Sequence, residues 1–178
     1  MSSSKSLKIK ITEHYNIDKK VKYFMSGYSF IASSKELKLP EEIEAYNHAG
    51  IFNDVDKCFD IWDLTEQDEG EREALEKIFT MPYIYYVAGV GNSDFWLYIE
   101  KYIEVGDVLE LVNIVQQDKA EQLVQGMLAN PETIHINVGS LTYQDKYGTY
   151  QLQNKNWIED LNHRTILSNF GVTTIVKY

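Results

Sequence analysis

The chain lacks most of the devices that fix a fold from outside its own core. It has one cysteine, Cys58, among 178 residues, so no disulfide can form within it. That usage fits a reducing compartment. Its three prolines and ten glycines are scattered and mark no flexible linker. No apolar run approaches the roughly 18 residues that cross a bilayer. The opening residues Met1 to Lys8 hold no apolar stretch of signal-peptide length. No Asn-x-Ser/Thr acceptor occurs either. The expectation is a cytoplasmic protein without a membrane segment, forming one unit over 1–178.

Motifs that carry chemistry are equally scarce. His14, His48, His135 and His163 are scattered, and none has a second ligand at helical spacing, whereas zinc needs three or four convergent ligands. Asn53-Asp54-Val55-Asp56 begins like a calcium loop but lacks its glycine and closing glutamate. No metal and no cofactor are therefore expected. Cys58 sits between Lys57 and Phe59 in a strand-like run, with no adjacent base, which favours an inert buried thiol. Ala88-Gly-Val-Gly-Asn-Ser93 follows a strand, yet it lacks the third glycine and the lysine of a phosphate loop and reads as a turn. Carboxylate pairs such as Asp60 with Asp63, or Glu132 with Glu159, are available for acid/base work. Nothing in the sequence sets either pair in an environment that would separate their pKa values.

Positive charge is nearly missing from the middle of the chain, and this scarcity leads to the most informative feature present. Residues 1–40 hold eight lysines against three acids, while residues 41–130 hold twenty acids against five bases. Residues 131–178 balance at four of each, so the net charge of −10 belongs to the centre. Asp54 to Glu76 carries ten carboxylates against Lys57 and Arg72. Such a field repels free nucleic acid and attracts basic surfaces.

Hydrophobic periodicity predicts an α+β fold: a strand-rich mixed sheet with two or three helices. Lys8 to Thr12 alternates like a half-buried strand, Lys20 to Ala32 reads as a second, and the link between them suits a hairpin. Glu41 to Asn47 reads as a short acidic helix after Pro40. From Phe59 onward the order strand (59–64), helix (66–80), strand (83–89) returns about 50 residues later as 109–114, 118–129 and 133–139. Two β-α-β-type units in tandem, covering 57–105 and 107–178, account for this. Two similar helix-bearing connections account for it equally well. Ser93 to Glu104 fits helix or strand about equally by its aromatic and branched content, and the compact turn Val105-Gly106-Asp107 into Val108 to Val115 favours a strand. Leu141 to Leu152 reads as a hairpin turning near Asp145 to Gly148, Trp157 to Arg164 as a short helix, and Val172 to Tyr178 as a closing strand.

Helix-end electrostatics accounts for Glu66, Asp68 and Glu69, which sit where negative charge is favourable by about 0.3–1 kcal/mol each. It does not account for Asp54, Asp56, Asp60 and Asp63 before the helix, nor for Glu100, Glu104, Asp107 and Glu110 after it. The sequence therefore points to a non-catalytic interaction protein that binds a basic partner, with a nucleic-acid-binding protein as the partner of choice. Asp54, Asp56, Asp60, Asp63, Glu66, Glu69, Glu73 and Glu76 are the candidate contacts, with Tyr83 and Tyr85 as apolar anchors. In composition alone the chain resembles small acidic inhibitors of restriction and CRISPR enzymes carried by phages and mobile elements; no motif carries that resemblance. One alternative is a small enzyme or ligand-binding domain with a pocket built from distant residues. Another is a homo-oligomer in which the lysine-rich 1–40 segment meets the acidic centre of a second copy.

Overall fold

A computed structural model describes residues 28–48, 58–114, 120–168 and 171–178. The expected strand over 8–12, its hairpin link, and the candidate contacts Asp54 and Asp56 lie outside the described residues. Among the described residues eight strands form one mixed sheet: β1 (Tyr28–Ser33), β2 (Asp60–Asp63), β3 (Tyr83–Ala88), β4 (Val108–Ile114), β5 (Ile134–Asn137), β6 (Thr142–Asp145), β7 (Gly148–Gln151) and β8 (Thr173–Val176). Their spatial order is β2-β3-β1-β4-β8-β5-β6-β7. All neighbours run antiparallel except β5 and β8. Five α-helices accompany them: α1 (Glu41–His48), α2 (Glu69–Leu75), α3 (Ser93–Tyr102), α4 (Ala120–Ala129) and α5 (Trp157–Asn162), with a 3-10 turn Glu66–Asp68 leading into α2.

Strand alternation sends apolar residues to both sides of the sheet, and each side has its own core. Ile31, Tyr85, Leu109, Leu111, Ile136 and Ile175 face one side, where Phe95, Trp96 and Ile99 of α3 and Trp157 and Leu161 of α5 cover them. Phe30, Ala32, Ile84, Tyr86, Val112 and Ile114 face the other, under Leu75 of α2 and Met127 of α4. Each fully buried large apolar side chain stabilises the fold by about 1.5–3 kcal/mol, so these two layers hold the sheet together. Among the described residues the fully buried side chains of the second layer stop at β4, with Val172 packed at their margin. Beyond β4, the same face of β8, β5 and β6 presents Thr174, His135 and Gln144 in one cross-strand row.

Ser93 to Glu104 departs from its expected strand: it is helix α3, ending at Tyr102. The Asn92 side chain accepts a hydrogen bond from the Phe95 amide at 2.8 Å, capping the helix. Helical spacing then turns Phe95, Trp96, Tyr98 and Ile99 onto the sheet together. Their aromatic character serves packing rather than a pleated surface. The acidic helix is also shorter than the expected 66–80, since α2 ends at Leu75. Amides of Ile78 and Phe79 then bond the Leu75 carbonyl as the chain turns toward β3.

The two strand–helix–strand connections share an order but not a pairing. β2 and β3 are antiparallel neighbours, whereas β8 lies between β4 and β5. Helices α2 and α4 pack side by side on one face, where Lys77 bridges to Glu121 at 3.0 Å.

Candidate functional site

The carboxylates that dominate the sequence divide into those that the fold uses and those that it leaves facing solvent. Asp68 belongs to the first group. It is 6 % exposed, accepts from the Thr65 amide and hydroxyl at 2.9 and 2.7 Å, and takes the Tyr86 hydroxyl at 3.1 Å. This capping box fixes the entry to α2. Glu110 is 7 % exposed, and its carboxylate receives the Thr80 amide, the Thr80 hydroxyl and the Met81 amide. It pins the turn before β3. Asp107 accepts from the Glu104 amide and pairs with Lys35 at 2.6 Å. Asp107 is the largest cause of the raised Lys35 pKa.

What remains is concentrated at α2 and the neighbouring sheet edge. Glu66, Glu69, Glu73 and Glu76 recur three or four residues apart on one side of this segment, and all four are exposed. None of them pairs with a described residue. Arg72, the base within α2, turns inward to the Leu64 carbonyl at 3.1 Å. Lys77 is engaged by Glu121. Asp63 is exposed at the end of β2, opposite Tyr85 in register. Asp60 lies on the reverse face of that strand, opposite Ala88, so Asp60 and Asp63 do not form an acid/base pair. Among the described residues no strand pairs with the outer edge of β2, and acids on such an edge discourage unwanted strand pairing.

The two tyrosines separate. Tyr83 is 38 % exposed and remains available beside Asp63, but Tyr85 is a core residue at 7 %. The Tyr85 hydroxyl accepts the Leu37 amide at 3.2 Å. Burial is the chief cause of its raised pKa, with Asp63 and Glu36 adding to it. Tyr86, Trp96 and Tyr98 are buried as well.

Cys58, the glycine turn and Glu132 each have a structural role. Cys58 is half-buried, donates to Asn47 Oδ1 at 3.1 Å, and its thiol is pushed up to about 11 by burial, then by Asp60 and Asp94. Gly89 and Gly91 have φ of 73° and 86°. A Cβ on Gly89 would meet the Cys58 carbonyl, and one on Gly91 would meet Ile166. Their glycines therefore serve a tight turn and close packing. Glu132 pairs with Lys146 at 2.7 Å and accepts from the Ser168 hydroxyl, which lowers its pKa, while Glu159 lies exposed on α5. Among the described residues no group of three His, Cys, Asp or Glu side chains is arranged to hold a metal. No helix among them is long and apolar enough to cross a membrane.

Two surface cavities accompany the acidic stripe. One, of about 540 Å³, lies between α1 and α3 and includes Glu42, Leu97 and Lys101. The other, about 710 Å³, lies over the polar row, lined by His135, Gln144, Thr174 and Lys146 among others. Sequence reading had no access to either, because strand register and helix packing create both. The one local signal was Leu97, an apolar residue that falls between buried neighbours.

Comparison with protein families, with characterised proteins and with solved structures finds no match to this chain.

Proposed function

We propose that this chain is a non-catalytic interaction protein whose α2 carboxylates engage a basic protein surface of the kind that grips nucleic acid. The supporting observation is the pair Glu73 and Glu76, exposed and without a basic partner among the described residues, at the C-terminal end of α2. Negative charge is favourable at a helix N-terminus and unfavourable at its C-terminus. Like charges three or four residues apart cost a further 0.2–0.5 kcal/mol or so per pair. Glu66 and Glu69 need no function to explain them. Glu73 and Glu76 lower the stability of the helix that carries them, and binding is what would offset that cost.

Charge spacing fits a partner of this class. Four carboxylates over ten residues of near-helical chain give about one charge per 5 Å. A DNA strand presents about one phosphate per 3.4 Å of axis. A groove lined with lysine and arginine for nucleic acid would accept the stripe as a competitor, and the protein would act as an inhibitor of its partner. Raising salt slows an association driven this way. Salt-insensitive capture of the partner, or displacement of no nucleic acid from it, overturns the proposal. A ligand-binding reading would instead use the 710 Å³ polar groove at His135.

A further inference from the structure

On the sheet face opposite α2, the groove between α1 and α3 combines an apolar floor with an acidic rim. Leu97 is 51 % exposed, although it lies between the buried residues Trp96 and Tyr98. Ile43 of α1 is half-buried beside it. Glu42 crosses from α1 to α3, pairing with Lys101 at 2.8 Å and accepting the Tyr102 hydroxyl. This tie holds the two helices together and neutralises the one lysine that lines the groove among the described residues. Asp94 and Glu100 carry the rim, and neither forms an ion pair with a described residue. Six residues of helix separate them, about 9 Å, with Leu97 between.

Among the described residues an anionic ligand finds no uncompensated cation here, and a purely polar one leaves Leu97 unused. Two packed helices offer a groove into which the side chains of a third can interdigitate. We propose that this groove receives a short amphipathic helix of a partner protein, its apolar stripe on Leu97 and Ile43 and its flanking lysines or arginines on Asp94 and Glu100. Charge complementarity selects that occupant over a membrane surface or an acidic helix. The site goes beyond the stripe on α2, and no residue is shared between them, so either can fail alone.

The probe is a fluorescent peptide of about 15 leucines and lysines at helical spacing, titrated with the full chain and followed by anisotropy at about 0.15 M salt. Saturable binding is expected. Leu97→Asp weakens it about tenfold or more, and Asp94→Lys with Glu100→Lys does the same by charge. Glu73→Lys with Glu76→Lys leaves it within about twofold, since those groups lie on the other face. Equal binding of a lysine peptide without leucine overturns the proposal. So does unchanged affinity in either groove variant, or an equal loss in the α2 variant.

Discussion

Replacing Glu110 tests most sharply whether this chain's acids are surface charge or structure. Its carboxylate receives Thr80 N at 2.7 Å, Thr80 Oγ1 at 2.6 Å and Met81 N at 3.2 Å. Hydrogen bonds to a charged group contribute about 1.5–3 kcal/mol each when their donors are buried. Thr80 is exposed and Met81 half-buried, so water reaches these donors in part once the acceptor is gone. Scaling the sum down accordingly gives about 3 kcal/mol for Glu110→Ala. Glu110→Gln keeps one acceptor oxygen but sets an amide group against the remaining donors, and costs about 1.5 kcal/mol. For a chain of this length the alanine variant melts roughly 6–12 °C lower. Urea unfolding followed by circular dichroism reads both values, with the slope m unchanged. A Glu110→Ala variant within about 0.5 kcal/mol of the parent, the range of ordinary surface substitutions, would refute the assignment.

Other expectations follow from the same geometry. Glu42 is held down to about 2 by its bonds to Lys101 and Tyr102. Because the folded value is the lower one, the tie between α1 and α3 is at full strength above the ordinary 4.5 and is lost as pH falls toward 2. Carbon-detected NMR titration reads this, and an ordinary midpoint for Glu42 would contradict it. The Cys58 thiol, near 11, should resist alkylation at pH 8 and react only as pH climbs or the chain unfolds. Rapid labelling of the folded protein would revive a nucleophilic role. Glu73→Lys with Glu76→Lys should stabilise the isolated protein by about 0.5–1 kcal/mol while removing partner capture. Loss of stability in that variant would mean that the two acids serve the fold.

Much of the architecture was legible because its signals are local. Alternation marked β8, the turn at Asp145 to Gly148 joined β6 to β7, and apolar periodicity over 118–129 marked α4. The misreading of α3 has a physical cause, since Phe95, Tyr98, Ile99 and Tyr102 suit either a helix or a strand. The deciding groups are Asn92, which caps the helix, and Cys58 and Ile166, which crowd its two preceding glycines. Similarly, the end of α2 depends on a turn held by Glu110, thirty residues away. The acidic site was half legible. Spacing alone put Glu69, Glu73 and Glu76 on one side, but nothing local revealed that Glu66 joins them or that Asp68 and Glu110 turn inward. The groove at Leu97 was not legible, because its walls meet through Glu42 and Lys101, 59 residues apart.

The account rests on the position of the carboxylates rather than on their number, and one paired comparison separates these. In one variant Glu66, Glu69, Glu73 and Glu76 become lysine. In the other Glu41, Glu44, Glu104 and Glu159, exposed and away from the stripe, are reversed instead. Each reversal adds two charges, so both variants move from −10 to −2. Affinity capture from the native cell with each variant and the parent, at low and high salt, is the measurement. The account predicts that the stripe variant loses a salt-sensitive basic partner which the other variant retains. Equal loss in both variants, or retention by both, would contradict it.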